Sequence, residues 1–505
     1  MSCYMGLDIG QTGCKATVFD DRGGQLAAAY REYPTLTPRP GWAELDSGQV
    51  VERCLEVVRE AATASGDQVR TLGITSQGEA FTPVDRTGAY LGNAMITFDT
   101  RSAGITRTWS REYGVETLYR VTGHTAHPMF SLFKLLWIRE NLPDVFSGAD
   151  MFLCFEDLLQ HRLGLRPRIA WCLAGRTMLF DIRAHRWDPG ILEAVGLEAS
   201  RLAEPAPSGT VVGTIPGETA RALGLPRGVQ VVSGGHDQPM GALGAGVVTE
   251  GTAMYATGTS EAVTPAFPSP IQNDDLREAN ICTYDYVVPG MYTTVVFSLT
   301  GGNILRWFRD QWAHREMQEA AASGRDPYEL ILENLGEEPS PVLVLPYFTP
   351  TGTPYFDAEV CGAILGLHLS TTRGQVLRGL LEGVAFEMRL NLDILNRAGM
   401  GVRELRAIGG GARSRAWMQL KADVLNTPIT RVKVTEAAGF ASAMLGRAAL
   451  TGEPPGEVAG RWVRTLGQIT PHQERAELYT RRFVQYRRLY PTLKPLGDLG
   501  DLGSV

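Results

Sequence analysis

Apolar and polar positions change period several times in the first seventy residues, and each change marks an element. Residues 5–10 and 14–19 read as strands joined by a tight turn at 11–13, and a second turn at 20–24 leads into a third extended run, 25–33. Together they predict an antiparallel meander. Positions 50–64 then carry apolar residues at helical spacing, 69–75 return to a strand, and helix and strand patterns alternate to about residue 245. The first half therefore predicts an α/β domain.

The second half opens in the same way, with a strand at 253–256, the turn Thr257-Gly-Thr-Ser260 and a returning strand at 261–266. This echo admits an internal duplication as readily as coincidence, since Gly and Thr are common at turns. Beyond it, 374–397 predicts a long amphipathic helix, 405–408 a buried strand and 414–425 another helix. The last stretch, 491–505, reads as a loose end.

At 505 residues the chain exceeds the size at which one core usually stops growing, so about two domains are expected. Hydrophobic residues at 44% and charged residues at 20% exclude a disordered chain. The formal net charge is −7 and no Lys/Arg stripe stands out, which argues against nucleic acid or an acidic membrane surface as partner. A small ligand fits better. The seven cysteines are odd in number, scattered and free of any CxxC spacing, as expected of reduced structural thiols. No basic segment followed by an apolar run opens the sequence, and no stretch of about 18 uninterrupted apolar residues occurs, so a cytoplasmic location is expected.

Candidate chemistry gathers at the turns. Asp8-Ile-Gly-Gln-Thr-Gly-Cys-Lys15 offers backbone N–H groups, the Thr12 hydroxyl and the Lys15 ammonium, all of which can hold phosphate. Asp8 would repel a phosphate unless a hydrated Mg²⁺ lay between them, and a plain hairpin with an Asp at its turn is the alternative. Thr257-Gly-Thr-Ser260 could be a second cradle. Ala407-Ile-Gly-Gly-Gly-Ala-Arg-Ser414 follows a strand and precedes a helix, but it lacks the GxGxxG spacing and the later acidic residue of a dinucleotide fold. A Walker A loop is excluded, because none of the five lysines follows a glycine.

Asp237, in Gly235-His-Asp-Gln238, ends an apolar run. A carboxylate there can cap the next helix, with Pro239 in its first turn, or accept the proton of a hydroxyl attacking a phosphoryl group. His236 reads as a structural imidazole. Gln77 and Glu79 follow the strand at 69–75, where open α/β sheets gather ligands; an amide and a carboxylate suit vicinal hydroxyls, and simple loop polarity would account for them equally. Phe98 could add an aromatic wall, with Asp99 and Arg101 as a structural ion pair.

Taken together, these segments resemble the FGGY carbohydrate kinases over residues 4 to 490. Met129-Phe-Ser-Leu-Phe-Lys-Leu-Leu-Trp-Ile-Arg-Glu-Asn141 is similar to the first family signature, with Lys134 and Trp137 at its fixed positions. Gly362-Ala-Ile-Leu-Gly-Leu, continuing to Gln375-Val-Leu-Arg-Gly-Leu-Leu-Glu382, is similar to the second, with Gly379 where Ala or Ser is usual. Residues 346–357, 408–426 and 235–238 match further hallmarks. The resemblance implies two actin-like, ribonuclease-H-like α/β domains with ATP and sugar in the cleft between them. Residues 1–245 would carry the sugar and the catalytic base, 246–490 the nucleotide, and 491–505 a tail.

By position, the resemblance makes Asp237 the catalytic base and Asp8 the acidic residue near Mg²⁺. Gly10, Gln11, Thr12 and Lys15 fall in the first phosphate loop, Gly258 and Thr259 in the second. Gly302 matches a nucleotide-contacting glycine, and Gly410, Gly411 and Ser414 match the adenosine side. Gln77, Glu79, Phe98, Asp237 and Gln238 form the sugar side. Gln11 replaces the usual Thr. Gly78 stands where glycerol kinases carry arginine and Thr97 where many members carry Trp, which predicts space for a substrate larger than glycerol. The implied activity is ATP-dependent phosphorylation of a sugar or polyol hydroxyl, with a ketopentose or related ketose such as xylulose first among substrates and a homodimer admitted. The alternative is a catalytically silent actin-like regulator that binds nucleotide or sugar, against which the presence of both Asp8 and Asp237 argues. A dehydrogenase ranks third.

Overall fold

The computed structural model describes residues 2–496 apart from 67, 337 and 435. Cys3–Ile9, Gly13–Phe19 and Gln25–Glu32 form the expected antiparallel meander. Cys3–Ile9 also pairs in parallel with Val69–Ser76, which pairs in parallel with Gln230–His236, and Val211–Thr214 closes that edge antiparallel. The second half repeats this plan. The hairpin Thr252–Thr257 and Glu261–Phe267 is followed by Glu404–Ile408 and Ile429–Val432 in parallel, with Thr465–Ile469 antiparallel at the edge. A hairpin, two parallel partners and an antiparallel edge thus recur in the same spatial order, so the echo of turn residues extends to topology.

Helices form where the sequence predicts them, for local reasons. Ser47–Ser65 is capped by Asp46, whose carboxylate accepts from the Gln49 N–H at 3.0 Å, and Val50, Cys54, Val57, Val58 and Ala61 bury one face. Arg373–Arg397 opens with a reciprocal capping box between Thr372 and Gln375, which satisfies two otherwise unpaired donors.

One helix crosses between the halves. Ala437–Thr451, rich in Gly, Ala and Ser, packs on the first sheet, and the core of the first half includes Phe440, Ala441, Met444 and Leu445. Absent side chains permit the approach: a Cβ on Gly6 would lie 1.8 Å from the Gly439 carbonyl oxygen, and one on Gly73 would lie 2.2 Å from that of Ser442. The helix thereby presses against the two strands that lead to Asp8 and to Gln77.

Residues 491–496, expected as part of a loose end, are instead helical, in Leu489–Leu493 and Lys494–Leu496. Tyr490 Oη and Lys494 Nζ both donate to Asp357 Oδ2, at 2.6 and 2.8 Å, which fastens this segment to the second half. Residues 497–505 of the expected tail lie outside the described residues. Among the described residues no helix is long and apolar enough to cross a membrane.

Candidate active site

Val69–Ser76 and Gln230–His236 run in parallel, so both release their chains at one edge of the sheet, delivering Gln77 to Glu79 and His236 to Asp237 to the same place. There a cleft of about 230 Å³ opens between the halves. Gln11, Gln77, Glu79, Phe98, Asp237 and Gln238 line it, joined by Met129, Phe130 and Arg176 from the first half and Asn280, Phe297 and Phe356 from the second. Phe98 stands at its mouth, 60% exposed.

Asp237 is the first residue of the helix Asp237–Gly244, and the cap position is taken by His236, so Asp237 is not the cap that one sequence reading allowed. Its carboxyl keeps 27% of its side-chain surface open, facing the cleft. Enclosure by protein, then the negative charges of Asp8 and Glu79, push its pKa up to about 8. His236 Nε2 lies 3.2 Å from Asp237 Oδ1, while Nδ1 meets the Tyr284 hydroxyl at 3.0 Å. Burial, followed by the charge of Arg176, holds this imidazole well below its usual pKa, so it stays neutral beside the carboxyl.

Glu79 has a left-handed backbone, φ 65°. Its Oε2 accepts from Thr97 Oγ1 at 2.9 Å, Thr97 in turn accepts from Gln11 Nε2 at 3.0 Å, and Oε1 accepts from Arg176 Nε at 2.5 Å. Arg176 Nη2 also pairs with Oε1. A polar line, Gln11–Thr97–Glu79–Arg176, therefore runs along the cleft floor. The space expected at Gly78 is not vacant: a Cβ there would lie 3.2 Å from the His236 ring and 3.5 Å from Arg176 Cγ. Glycine at 78 admits the imidazole, and the guanidinium arrives from a different segment. Gln77 Nε2 donates to the Gly10 carbonyl at 3.1 Å, leaving Oε1 buried without a partner among the described residues. Asp99 and Arg101 form the anticipated ion pair at 2.6 Å.

On the phosphate-loop side, Asp8 Oδ1 is buried and, among the described residues, unpartnered. Burial, then the nearby Glu436, pushes the Asp8 pKa up to about 7 against the opposing charge of Lys15. Lys15 does not stand free: its Nζ pairs with Glu436 Oε1 at 2.6 Å, immediately before the crossing helix. The orphan Asp8 oxygen beside Glu436 fits a hydrated divalent cation such as Mg²⁺, which takes one or two carboxylates plus phosphate oxygens. In the same turn the Gly10 N–H bonds the Gly13 carbonyl at 3.0 Å, and Thr12 is exposed.

The second turn lies at the ends of Thr252–Thr257 and Glu404–Ile408. The Gly302 N–H donates to the Gly258 carbonyl at 2.8 Å, and a Cβ on Gly302 would sit 2.6 Å from that oxygen, so Gly302 is fitted to the turn. Thr259 is exposed, a Cβ on Gly410 would meet open space, and one on Gly411 would lie 3.0 Å from Thr257 Oγ1. Ser414 Oγ accepts from the Trp417 N–H at 3.2 Å, capping Arg415–Leu425. Gly258, Thr259, Gly302, Gly410, Gly411 and Ser414 do not line the cleft that holds Glu79 and Asp237, but Ser260 of the same turn does, so the turn borders that cleft.

Sequence reasoning missed Arg176, Glu436, Tyr284 and the aromatic residues Phe130, Phe297 and Phe356. For Arg176 a signal existed: it is the one charge in the run Trp171-Cys-Leu-Ala-Gly-Arg-Thr-Met-Leu-Phe180, and a buried guanidinium needs a partner.

Residues 3–244 match the N-terminal domain and residues 253–450 the C-terminal domain of the FGGY family of carbohydrate kinases. The chain is 25% identical to a xylulose kinase of Bacillus subtilis over 98% of each chain. It is 28% identical to an autoinducer-2 kinase of an Enterobacter species over 100% of this chain and 97% of that one. The crystal structure of xylulose kinase from Rhodospirillum rubrum superposes with a TM-score of 0.88, 25% identity, and coverage of 98% of this chain and 99% of that one. The chain belongs to the FGGY family of carbohydrate kinases, paired actin-like α/β domains that phosphorylate a carbohydrate with ATP as donor.

Proposed function

We propose that this chain phosphorylates a terminal hydroxyl of a five- or six-carbon ketose, a ketopentose such as xylulose being first among the candidates, with Asp237 as general base. The observation that carries this reading is Asp237 itself, a carboxyl aimed into the cleft with its basicity raised by enclosure and by Asp8 and Glu79. A base of that strength suits removal of a hydroxyl proton as the oxygen attacks phosphorus. Gln77, Glu79, Phe98 and Gln238 hold the sugar. Backbone N–H groups at Gln11, Thr12 and Thr259, with the Lys15 ammonium, steady the phosphates in turns that Gly10 and Gly258 close with their own N–H groups, while Gly302, Gly410, Gly411 and Ser414 border the adenosine. Mg²⁺, held on the Asp8 side, supplies charge neutralisation to the phosphates when bound. The division of labour falls at 245/246, a homodimer is the assembly carried forward, and the cytoplasm is the expected compartment.

An ADP-release screen across ketopentoses, deoxyketoses, aldonates and polyols, with Mg²⁺ titrated, tests this reading. Turnover with a ketose and dependence on Mg²⁺ are expected. Nucleotide binding without ADP release from any substrate would instead favour the silent regulator.

A further inference from the structure

Arg176 is enclosed in the cleft wall, its side chain 9% exposed, yet its bonds are lopsided. Nε and Nη2 both engage Glu79, and the flat faces of Phe130 and Tyr284 flank the guanidinium carbon at 4.9 and 5.6 Å. Nη1, with two N–H donors, finds among the described residues only the Cys282 sulfur at 3.9 Å. Sulfur is a weak acceptor, so this edge of a permanently charged group has not met an oxygen. Cys282 lines the same cleft, which places the under-used edge toward the substrate space. A second group nearby is unmatched in the opposite sense: Gln77 Oε1 is a buried acceptor without a donor.

We infer that Arg176 reads the substrate through Nη1, donating to an oxygen that can only accept, so that the site selects carbohydrates carrying a carbonyl or carboxylate oxygen over the corresponding polyols. A hydroxyl would present its proton equally well elsewhere, but a ketone or carboxylate oxygen matches a cationic donor without competition, and that bond is charge-assisted. Gln77 Oε1 accepts a hydrogen bond from a neighbouring hydroxyl of the same molecule. This rests on the cleft being the carbohydrate site, as proposed above, and extends it from a positional match to a chemical rule: an open-chain ketose or a sugar acid binds more tightly than its reduced alditol. Glu79 is then the partner that holds the guanidinium in register, leaving Arg176 to discriminate.

The test uses the full-length protein and three ligands of equal carbon number: a ketopentose, a pentonate and the pentitol formed by reducing the ketone. Calorimetric binding without nucleotide and ADP-release kinetics are both read. The ketose or the pentonate is expected to bind about 10- to 100-fold tighter than the pentitol, the range of one charge-assisted bond. The comparison of ketose with pentonate tells carbonyl from carboxylate. Arg176→Lys, which keeps the charge but loses the planar edge, should compress that preference while leaving the KM for ATP in place. Equal binding of all three ligands by the wild-type protein overturns the inference without recourse to any variant, as does an Arg176→Lys protein with the full preference intact. Selective binding of the ketose with no ADP released supports the inference while counting against phosphoryl transfer, so the two readings fail separately.

Discussion

Asp237 is enclosed beside Asp8 and Glu79, and burial first, then those two charges, keeps its proton affinity high. Asp237→Asn keeps the size and removes the basicity, and phosphoryl transfer should fall by about 10²- to 10⁴-fold, with sugar affinity much less changed. Rapid-quench kinetics beside calorimetry separates the two. Glu79 needs a gentler substitution. Alanine there would leave Arg176 buried without its countercharge, a loss of about 3–5 kcal/mol that would confuse binding with folding. Glu79→Gln also removes the countercharge, but it fills the same space and keeps one amide oxygen to accept from Arg176 while its NH2 turns to Thr97, so the KM for the sugar should rise roughly tenfold while the KM for ATP stays put. An unchanged sugar KM would remove Glu79 from the sugar side. At this scale the sequence exposed Asp8, Asp237, Gln77 and Glu79, because each sits where an apolar run ends in polar residues. It could not show that Gly78 accommodates His236 and Arg176, since that depends on which side chains arrive from elsewhere.

The turn Thr257-Gly-Thr-Ser260 is built from short-range bonds, the Gly258 N–H to the Ser260 carbonyl at 3.0 Å among them, and was legible before folding was considered. Thr259→Val nearly conserves volume and deletes an exposed hydroxyl, so the KM for MgATP should rise while sugar binding without nucleotide persists. Matching ATP kinetics would end the assignment of this turn to phosphate. The helix Ala437–Thr451 behaves differently. Its small residues show no strong polar face, and only the sheet beneath explains them. Gly73→Ala would drive a methyl to 2.2 Å from the Ser442 carbonyl, and this helix cannot move without disturbing the Lys15–Glu436 pair at its start. A loss of about 1–3 kcal/mol in urea unfolding is expected, with weakened ATP use, and an unaffected midpoint would show that the contact yields freely.

Across the whole molecule, burial brings several enclosed acids to titrate around neutral pH. Burial is the leading cause for each: Asp8, Glu156 and Glu387 are pushed up to about 7 and Asp237 to about 8, from ordinary values near 4. In the unfolded chain these groups would lose their protons first, so the folded state binds more protons between the two sets of values. Their contribution to stability is full below about pH 4 and is lost as pH rises toward 8. Without ligands, the melting temperature should therefore decline from pH 6.5 to pH 8, between the range in which the buried His124, His127 and His236, held below their usual values, act in the opposite sense and that in which buried Lys134 does. Mg²⁺ with nucleotide should restore part of it by offsetting charge near Asp8. Glu387→Gln, distant from the cleft and bonded to Tyr347 and Tyr486, should flatten the profile; a melting temperature that climbs across this range would refute the account.

By itself, the sequence determined the two α/β halves, the paired hairpins, the capped helices and the carboxylates at strand ends. These follow from periodicity, capping and turn chemistry within a few residues of one another. The tertiary structure decided the rest. Arg176 meets Glu79 across 97 positions and Lys15 meets Glu436 across 421, distances over which no local pattern carries information. The crossing of Ala437–Thr451 onto the first sheet, made possible by glycines on both surfaces, packs that helix on the strand that carries Asp8 and on the two that lead to Gln77 and Asp237. Long-range contacts of this kind depend on which surfaces can approach most closely, a property of two folded elements together and of neither one's residues alone.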